Sequence, residues 1–182
     1  MSVNQYAVAQ AVRDLLHAVG IDPDDSPHTS DTPNRVARFW AEFMDYDPGT
    51  VATTFPVEQV DQMVVVSGID TWSMCAHHLL PFSARVTIGY IADDQVLGLS
   101  KFARIAHAEA HQPNTQEGLV ARIADTVTEV TGTKDVAVKA TGMHLCMAMR
   151  GIKTPAEMTT SVTRGAFRDQ PETRAEWLSL TR

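Results

Sequence analysis

Hydrophobic positions change period several times along the chain. Val8, Val12, Leu15, Leu16 and Val19 recur at helical spacing, and Gly20 stands where that helix should end. Residues 22–32 hold Pro23 and Pro27 and read as a turn-rich loop. Thr32-Pro33 predicts an N-cap followed by the first helical residue, with Val36, Phe39, Trp40 and Phe43 on one apolar face. A loop at Pro48-Gly49 follows, and Met63 to Val66 is a β-branched run that predicts a strand. Residues 71–82 fit no clean period and are expected to include a loop. Arg85 to Ile91 alternates as a strand, with Asp93-Asp94 as its turn. Ser100 is the expected cap of a helix from Lys101 to about Ala110. After Pro113 another helix carries Leu119, Ile123, Val127 and Val130 on one side and stops at Gly132. Residues 135–140, 144–150 and 158–163 read as strands, and Pro171 to Leu180 closes the chain as a short helix.

Helices and strands therefore come in runs, which predicts α+β architecture with an antiparallel sheet. The 182 residues suit a single domain, with an N-terminal helical part over residues 1–50 and the rest in 51–182. At 44% hydrophobic and 20% charged residues, the chain can bury a core without disulfides or metals. A net charge of −7 argues against general nucleic-acid binding but leaves room for a local basic pocket. No apolar run reaches the length of a membrane span, and residues 1–9 lack the basic and apolar regions of a signal peptide. A soluble, cytoplasmic protein with no membrane partner is expected. In a reducing compartment its two cysteines, Cys75 and Cys146, are better suited to metal or chemistry than to a disulfide.

Cys75 and His78 are three apart in an expected loop, a spacing that lets two side chains meet one ion. If residues 144–150 form a strand, His144, Cys146, Ala148 and Arg150 share one face. Cys146 beside Cys75 and His78 would give two thiolates and an imidazole, a donor set that zinc favours, with a fourth position left for water. His77 and His144 would remain as proton donors or acceptors. Both cysteines could equally be small buried hydrophobes. Lys101 and Arg104 share one side of a helix start, where an anion would relieve their repulsion with the helix dipole; a solvated basic edge explains them as simply. Glu117 after Gln116 lies in the first turn of a helix, where acidic residues serve as caps. A carboxylate there could also accept two hydrogen bonds from the N1–H and N2–H₂ edge of guanine, and both readings can hold together.

Taken together these segments resemble the GTP cyclohydrolase I family. The resemblance rests on Cys75-Ala76-His77-His78-Leu79-Leu80-Pro81-Phe82, Gly98-Leu99-Ser100-Lys101, Gln116-Glu117 and residues 144–151. It extends to Thr32-Pro33-Asn34-Arg35-Val36-Ala37 upstream, and to Thr160-Ser161, Gly165-Ala166-Phe167-Arg168 and Thr173-Arg174-Ala175-Glu176 downstream. The resemblance implies the tunnelling fold, a four-stranded antiparallel sheet with helices on one face. It implies Zn2+ on Cys75, His78 and Cys146, with His77 and His144 as the acid–base pair. Glu117, helped by Gln116, would hold the guanine edge, and Ser100 would lie near the purine or ribose. Lys101, Arg104 and Arg150 would bind the triphosphate, with Arg35 reaching in from a neighbouring subunit. The implied reaction hydrolyses GTP at C8, releases formate and rearranges the ribose to give 7,8-dihydroneopterin triphosphate, a precursor for tetrahydrofolate or deazapurine synthesis. The implied assembly is a homodecamer of two stacked pentameric rings.

Three features depart from the family pattern. Ala76 replaces a usual Glu, residues 110–115 differ from an Arg-rich version, and Gly118 stands where Arg is common. They leave two rival readings: a related cyclohydrolase acting on another purine nucleotide, and a catalytically degenerate zinc- or nucleotide-binding homologue. Retention of His77, His144 and Arg150 favours the enzyme, because a purely structural metal would not need them and would want a fourth protein ligand. The ligand assignment makes a first prediction. Complete oxidation of Cys75 and Cys146 should eject the metal, measured as zinc released to a chromogenic chelator; zinc that stays bound would refute the assignment.

Overall fold

A computed structural model describes residues 2–58 and 62–181; residues 1, 59–61 and 182 lie outside it. The chain divides into two compact units, residues 1–47 and 48–182.

The first unit is a pair of helices, α1 (Gln5–Ala18) and α2 (Thr32–Met44), packed on each other. Asn4 caps α1 by accepting a hydrogen bond from the Ala7 N–H, and Gly20 follows its end with φ of 81°. The loop between the helices contains a 3₁₀ turn at Pro23–Asp25. Asp31, not Thr32, occupies the N-cap position of α2, and its carboxylate accepts from Asn34 and Arg38. Arg35 belongs to this unit, where its Nε lies 3.4 Å from Asp31.

The second unit is built on a mixed sheet in the order β5-β2-β3-β6-β7. Its long strands are β2 (Met63–Cys75), β3 (Pro81–Ile91), β6 (Val136–Met143) and β7 (Glu157–Thr163), and each pairs antiparallel with its neighbour. β5 (Pro113–Asn114) adds a two-residue parallel strand beside the end of β2. The sheet therefore has five strands, four of them long and antiparallel and the fifth a short one at the edge. A separate two-stranded ribbon pairs β1 (Thr54–Pro56) with β4 (Gln95–Leu97).

β2 is far longer than the run at Met63 to Val66 announced. The strand continues to Cys75, and only residues 76–80 turn before β3 begins. Period-2 alternation was obscured by a bulge. Val66 opposes Ile88 and Ile69 opposes Val86, so Ser67 and Gly68 together face one residue of β3, and Gly68 takes the φ of 77° that this requires. Before the bulge Val64 and Val66 face the main core; after it Ile69 and Cys75 do.

α3 (Leu99–Ala110) and α4 (Gln116–Thr131) cover one face of the sheet. Phe102, Ile105, Leu119 and Ile123 pack there against Phe82, Val86, Ile88 and Val138. Gly98 is the N-cap of α3, so Ser100 lies inside the first turn and does not cap it. Thr115 caps α4 through the Gly118 N–H, and Gly132 ends it in the left-handed conformation. Helices are not confined to this face. The C-terminal pair, α6 (Ala166–Asp169) and α7 (Pro171–Leu180), packs Phe167 and Trp177 against Ala137, Met63, Val65 and Ile91, which point the other way by strand alternation. Gly89 makes room for this, because a Cβ there would run into the Trp177 ring.

The largest departure lies at residues 144–150. The expected strand is a single helical turn, α5 (Leu145–Ala148). The carbonyl of His144 accepts from the N–H groups of Met147 and Ala148, each at 3.0 Å, and Gly151 follows with φ of 61°. Leu, Met and Ala are good helix formers, and their alternation with His and Cys imitated a strand over a short window. No helix among the described residues is long and apolar enough to cross a membrane.

Trp177 is 1% exposed and closes the second core cluster. Trp177→Ala should lower unfolding free energy by about 3–5 kcal/mol, the usual range for such a truncation. Chemical denaturation would measure it, and zinc binding by the folded fraction should be unchanged, since Cys75 belongs to the other cluster and Cys146 packs against it.

Candidate active site

Three chain segments converge at one end of the sheet. The β2–β3 turn brings Cys75, His77 and His78; β6 and α5 bring His144 and Cys146; the start of α4 brings Gln116 and Glu117. The turn is fixed by backbone bonds: Cys75 N–H donates to the Leu80 carbonyl at 2.8 Å and Leu79 N–H to the Cys75 carbonyl at 2.8 Å. Leu79 pays in conformation with φ of 52°, unusual for a side chain branched beyond Cβ. The Ala76 N–H donates to the Asn114 carbonyl, which ties the turn to the segment before α4.

One ligand atom each from Cys75, His78 and Cys146 lies within 4.8 Å of the others. Cys75 Sγ is 3.8 Å from His78 Nδ1. Tetrahedral zinc with ordinary bond lengths would place sulfur and nitrogen ligands about 3.6 Å apart, so the spacing fits the ion. Electrostatics fit it too. Burial pushes the Cys146 thiol above its ordinary pKa, and the neighbouring Cys75 thiol adds to that shift, while Arg150 acts in the opposite direction. Two adjacent thiolates repel, and a divalent cation between them removes that repulsion.

His77 and His78 are exposed, and Cys75 Sγ is 3.9 Å from His77 Nδ1. Arg150 Nη1 approaches His78 Nε2 at 2.6 Å. A guanidinium has only donors, so that nitrogen is the acceptor. A metal on Nε2 would take its lone pair, and a metal on Nδ1 would leave a proton on Nε2 facing a donor. A metal held through either nitrogen would therefore displace Arg150 from His78.

His144 is half-buried and stacks on Phe82, with centroids 4.5 Å apart and planes 9° from parallel. Burial pushes its pKa below the ordinary imidazole value, and the Glu117 carboxylate opposes this. Glu117 itself is exposed at the first turn of α4. Gln116, expected to help at a purine edge, is instead fully buried. Its amide Nε2 donates towards Ala140 O, Met158 O and Thr160 Oγ1, and its Oε1 faces His144 Nε2 at 2.9 Å.

Lys101 and Arg104 share one side of α3, as their spacing predicted. Both reach the segment before β1: Lys101 Nζ donates to Thr50 O at 2.8 Å and Arg104 Nη1 donates to Pro48 O. Gly49, with φ of 64°, leaves room for the Arg104 guanidinium, which a Cβ would meet at 2.5 Å. Ser100 is exposed at the start of the same helix. Arg35 lies in the N-terminal unit.

Sequence reasoning gave no role to Phe82, Thr160 or Gly142, all of which shape this site. Phe82 and Thr160 lie within segments that carry the family resemblance, which gave neither a role of its own. Gly142 carried the clearer signal, since a lone glycine within a strand marks a close backbone approach. A Cβ at Gly142 would overlap Ser83 O and come within 2.8 Å of Gln116 Oε1.

Comparison with known proteins agrees with this constellation. The family model for GTP cyclohydrolase I matches residues 8–182. A protein named GTP cyclohydrolase 1 from Sulfurihydrogenibium sp. is 40% identical over 181 residues, covering 99% of this chain and 96% of the relative. One of the same name from Deinococcus radiodurans is 43% identical, over 92% of this chain and 79% of the relative. Another from Corynebacterium aurimucosum is 46% identical, over 94% and 90%. With a match that runs through both units and every segment of the site, the chain belongs to the GTP cyclohydrolase I family.

Proposed function

We propose that this protein is a zinc enzyme that hydrolyses GTP at C8, releases formate and forms 7,8-dihydroneopterin triphosphate. The observation that carries the reading is the clustering of Cys75, His78 and Cys146 within 4.8 Å, with His144 and Glu117 close by. When bound, zinc supplies Lewis acidity, bringing the pKa of a water down to about 7.

The protein's own groups divide the remaining work. Glu117, exposed at a helix start, accepts hydrogen bonds from the N1–H and N2–H₂ edge of guanine and so orients C8 towards the metal ligands. Its two carboxylate oxygens match those two donors, and an edge that lacks them would leave the carboxylate unpaired. Lys101, Arg104 and Arg150 hold the triphosphate, with Ser100 near the purine or ribose. For Lys101 and Arg104 this means exchanging the carbonyls of Thr50 and Pro48 for phosphate oxygens, a stronger, charge-assisted partner. Arg150, once freed from His78, joins them. Proton transfers at the ring and ribose fall to His144 and His77. Arg35 completes the triphosphate site from a neighbouring subunit of a decamer built from two pentameric rings. The product then serves tetrahydrofolate or deazapurine synthesis.

Ala76 favours a second reading. It puts a methyl group where the family pattern has a carboxylate, in the turn that carries His77 and His78, which suits a catalytically degenerate homologue that binds zinc or nucleotide.

Metal-loaded protein incubated with GTP should release formate and develop pterin absorbance, and Cys146→Ala should lose both. Absence of turnover despite one zinc per subunit and measurable GTP binding would eliminate GTP as substrate. Glu117→Gln keeps the shape but places an amide donor against donors on guanine. It should lower kcat/KM for GTP by on the order of 10²-fold or more; an unchanged value would remove Glu117 from the purine edge.

A further inference from the structure

Gln116 is 0% exposed, and its carboxamide is held from three sides. Nε2 lies 3.0 Å from Ala140 O, 2.9 Å from Met158 O and 3.1 Å from Thr160 Oγ1. The first two are backbone carbonyls of β6 and β7, which can only accept. Turning the amide over would set its oxygen against both of them, a buried acceptor facing two acceptors. The sheet itself therefore decides that Nε2 points to the strands and Oε1 points away.

Oε1 points at His144, 2.9 Å from its Nε2. A carboxamide oxygen only accepts, so the imidazole must supply the proton. Stacking keeps the ring in this plane, and a 180° turn within the plane would set Cε1 against Oε1 and leave the buried amide oxygen without its donor. The ring is stacked on Phe82 with planes 9° apart, and Phe82 is 0% exposed. His144 also forms an antiparallel bridge with Phe82 through the backbone. Among the described residues His144 Nδ1 has no hydrogen-bond partner. Gly142 supports the arrangement independently: any larger residue would press a Cβ to within 2.8 Å of Gln116 Oε1 and displace it.

We propose that Gln116 is a positioning residue that fixes His144 as the Nε2–H tautomer, leaving Nδ1 as the nitrogen that accepts or delivers a proton to substrate. This rests on the reading of His144 as a proton-transfer group. It replaces the expected guanine contact by Gln116 with an action through the imidazole. The chain of command runs from the carbonyls of two strands, through one buried amide, to the protonation of one ring nitrogen. Thr160 Oγ1 can only share one of the two amide hydrogens with these carbonyls.

The test reads the tautomer directly. Zinc-loaded protein containing ¹⁵N-histidine would be examined by NMR, with the His144 ring signals identified by their loss in His144→Ala. The expected result is a protonated Nε2 and an unprotonated Nδ1 in the neutral ring. A proton on Nδ1 in the unaltered protein would overturn the proposal, and that measurement needs no turnover. Gln116→Met, of similar length but without polar atoms, should mix the two tautomers. The same variant should lower kcat about 10²–10³-fold, the scale of a lost acid–base group, while affinity for GTP changes less than about threefold. An unchanged tautomer in Gln116→Met, or a loss confined to GTP affinity, would overturn the proposal and return Gln116 to substrate contact. Failure of GTP turnover in the unaltered protein, with the tautomer as expected, would count against the cyclohydrolase reading alone.

Discussion

β3 is the strand to which the rest of the second unit is referenced. It pairs with β2 on one side and β6 on the other. Phe82, Ala84, Val86, Ile88 and Tyr90 are all 0% exposed and face α3 and α4. Burying that row ties the apolar faces of two helices to a single register, and the hydrophobic effect that drives it has no directional demand of its own. Direction comes from the strand ladder. Because β2 and β6 are both registered on β3, the end of β2 with Cys75 and the end of β6 with His144 arrive at the same edge beside Phe82. Strand Gly89 meets the opposite demand on the other face, where it admits Trp177.

Polar groups near that edge are arranged so that few are wasted. Ser73 Oγ donates to Ala110 O at 2.6 Å and accepts from Asn114 Nδ2 at 2.9 Å, which fixes the passage from α3 to α4. Asn114 also donates towards Glu109 O, near the end of α3, and towards Gln112 O, which Ser73 Oγ approaches as well. The result is that Gln116 enters the sheet at a set depth and Glu117, one residue later, remains in solvent. One buried and one exposed residue at consecutive positions of a first helical turn thus divide support from contact.

Much of this was legible in the sequence because it depends on local pattern. α1, α4 and α7 followed from helical periodicity with Gly or Pro at their ends, and α7 has the expected bounds. That Cys75, His78 and Cys146 come together could be anticipated because the chain has only two cysteines and one lies three positions from a histidine. Residues 144–150 were misread because Leu145, Met147 and Met149 alternate with polar neighbours, and one turn of helix is too short for its period to declare itself. The role of Gln116 was invisible for a different reason. Two of its partners are backbone carbonyls, at Ala140 and Met158, and a carbonyl carries no residue identity. Likewise the engagement of Lys101 and Arg104 with Thr50 and Pro48 is backbone recognition across more than 50 positions, which no local window contains.

The bulge at Ser67 and Gly68 has a consequence for how this chain can change length. A strand counts residues modulo two, and the extra residue resets that count midway along β2. Cys75 reaches the helix-facing side only because of it. Removing one residue between Val66 and Ile69 would therefore act as a frameshift in facing: Thr71, Ser73 and Cys75 would exchange sides with Asp70, Trp72 and Met74. A single-residue deletion in the exposed turn at Asp93-Asp94 carries no such parity. Insertions and deletions should accumulate in such turns during divergence, while the span from Val66 to Cys75 keeps a fixed number of residues even where its side chains vary.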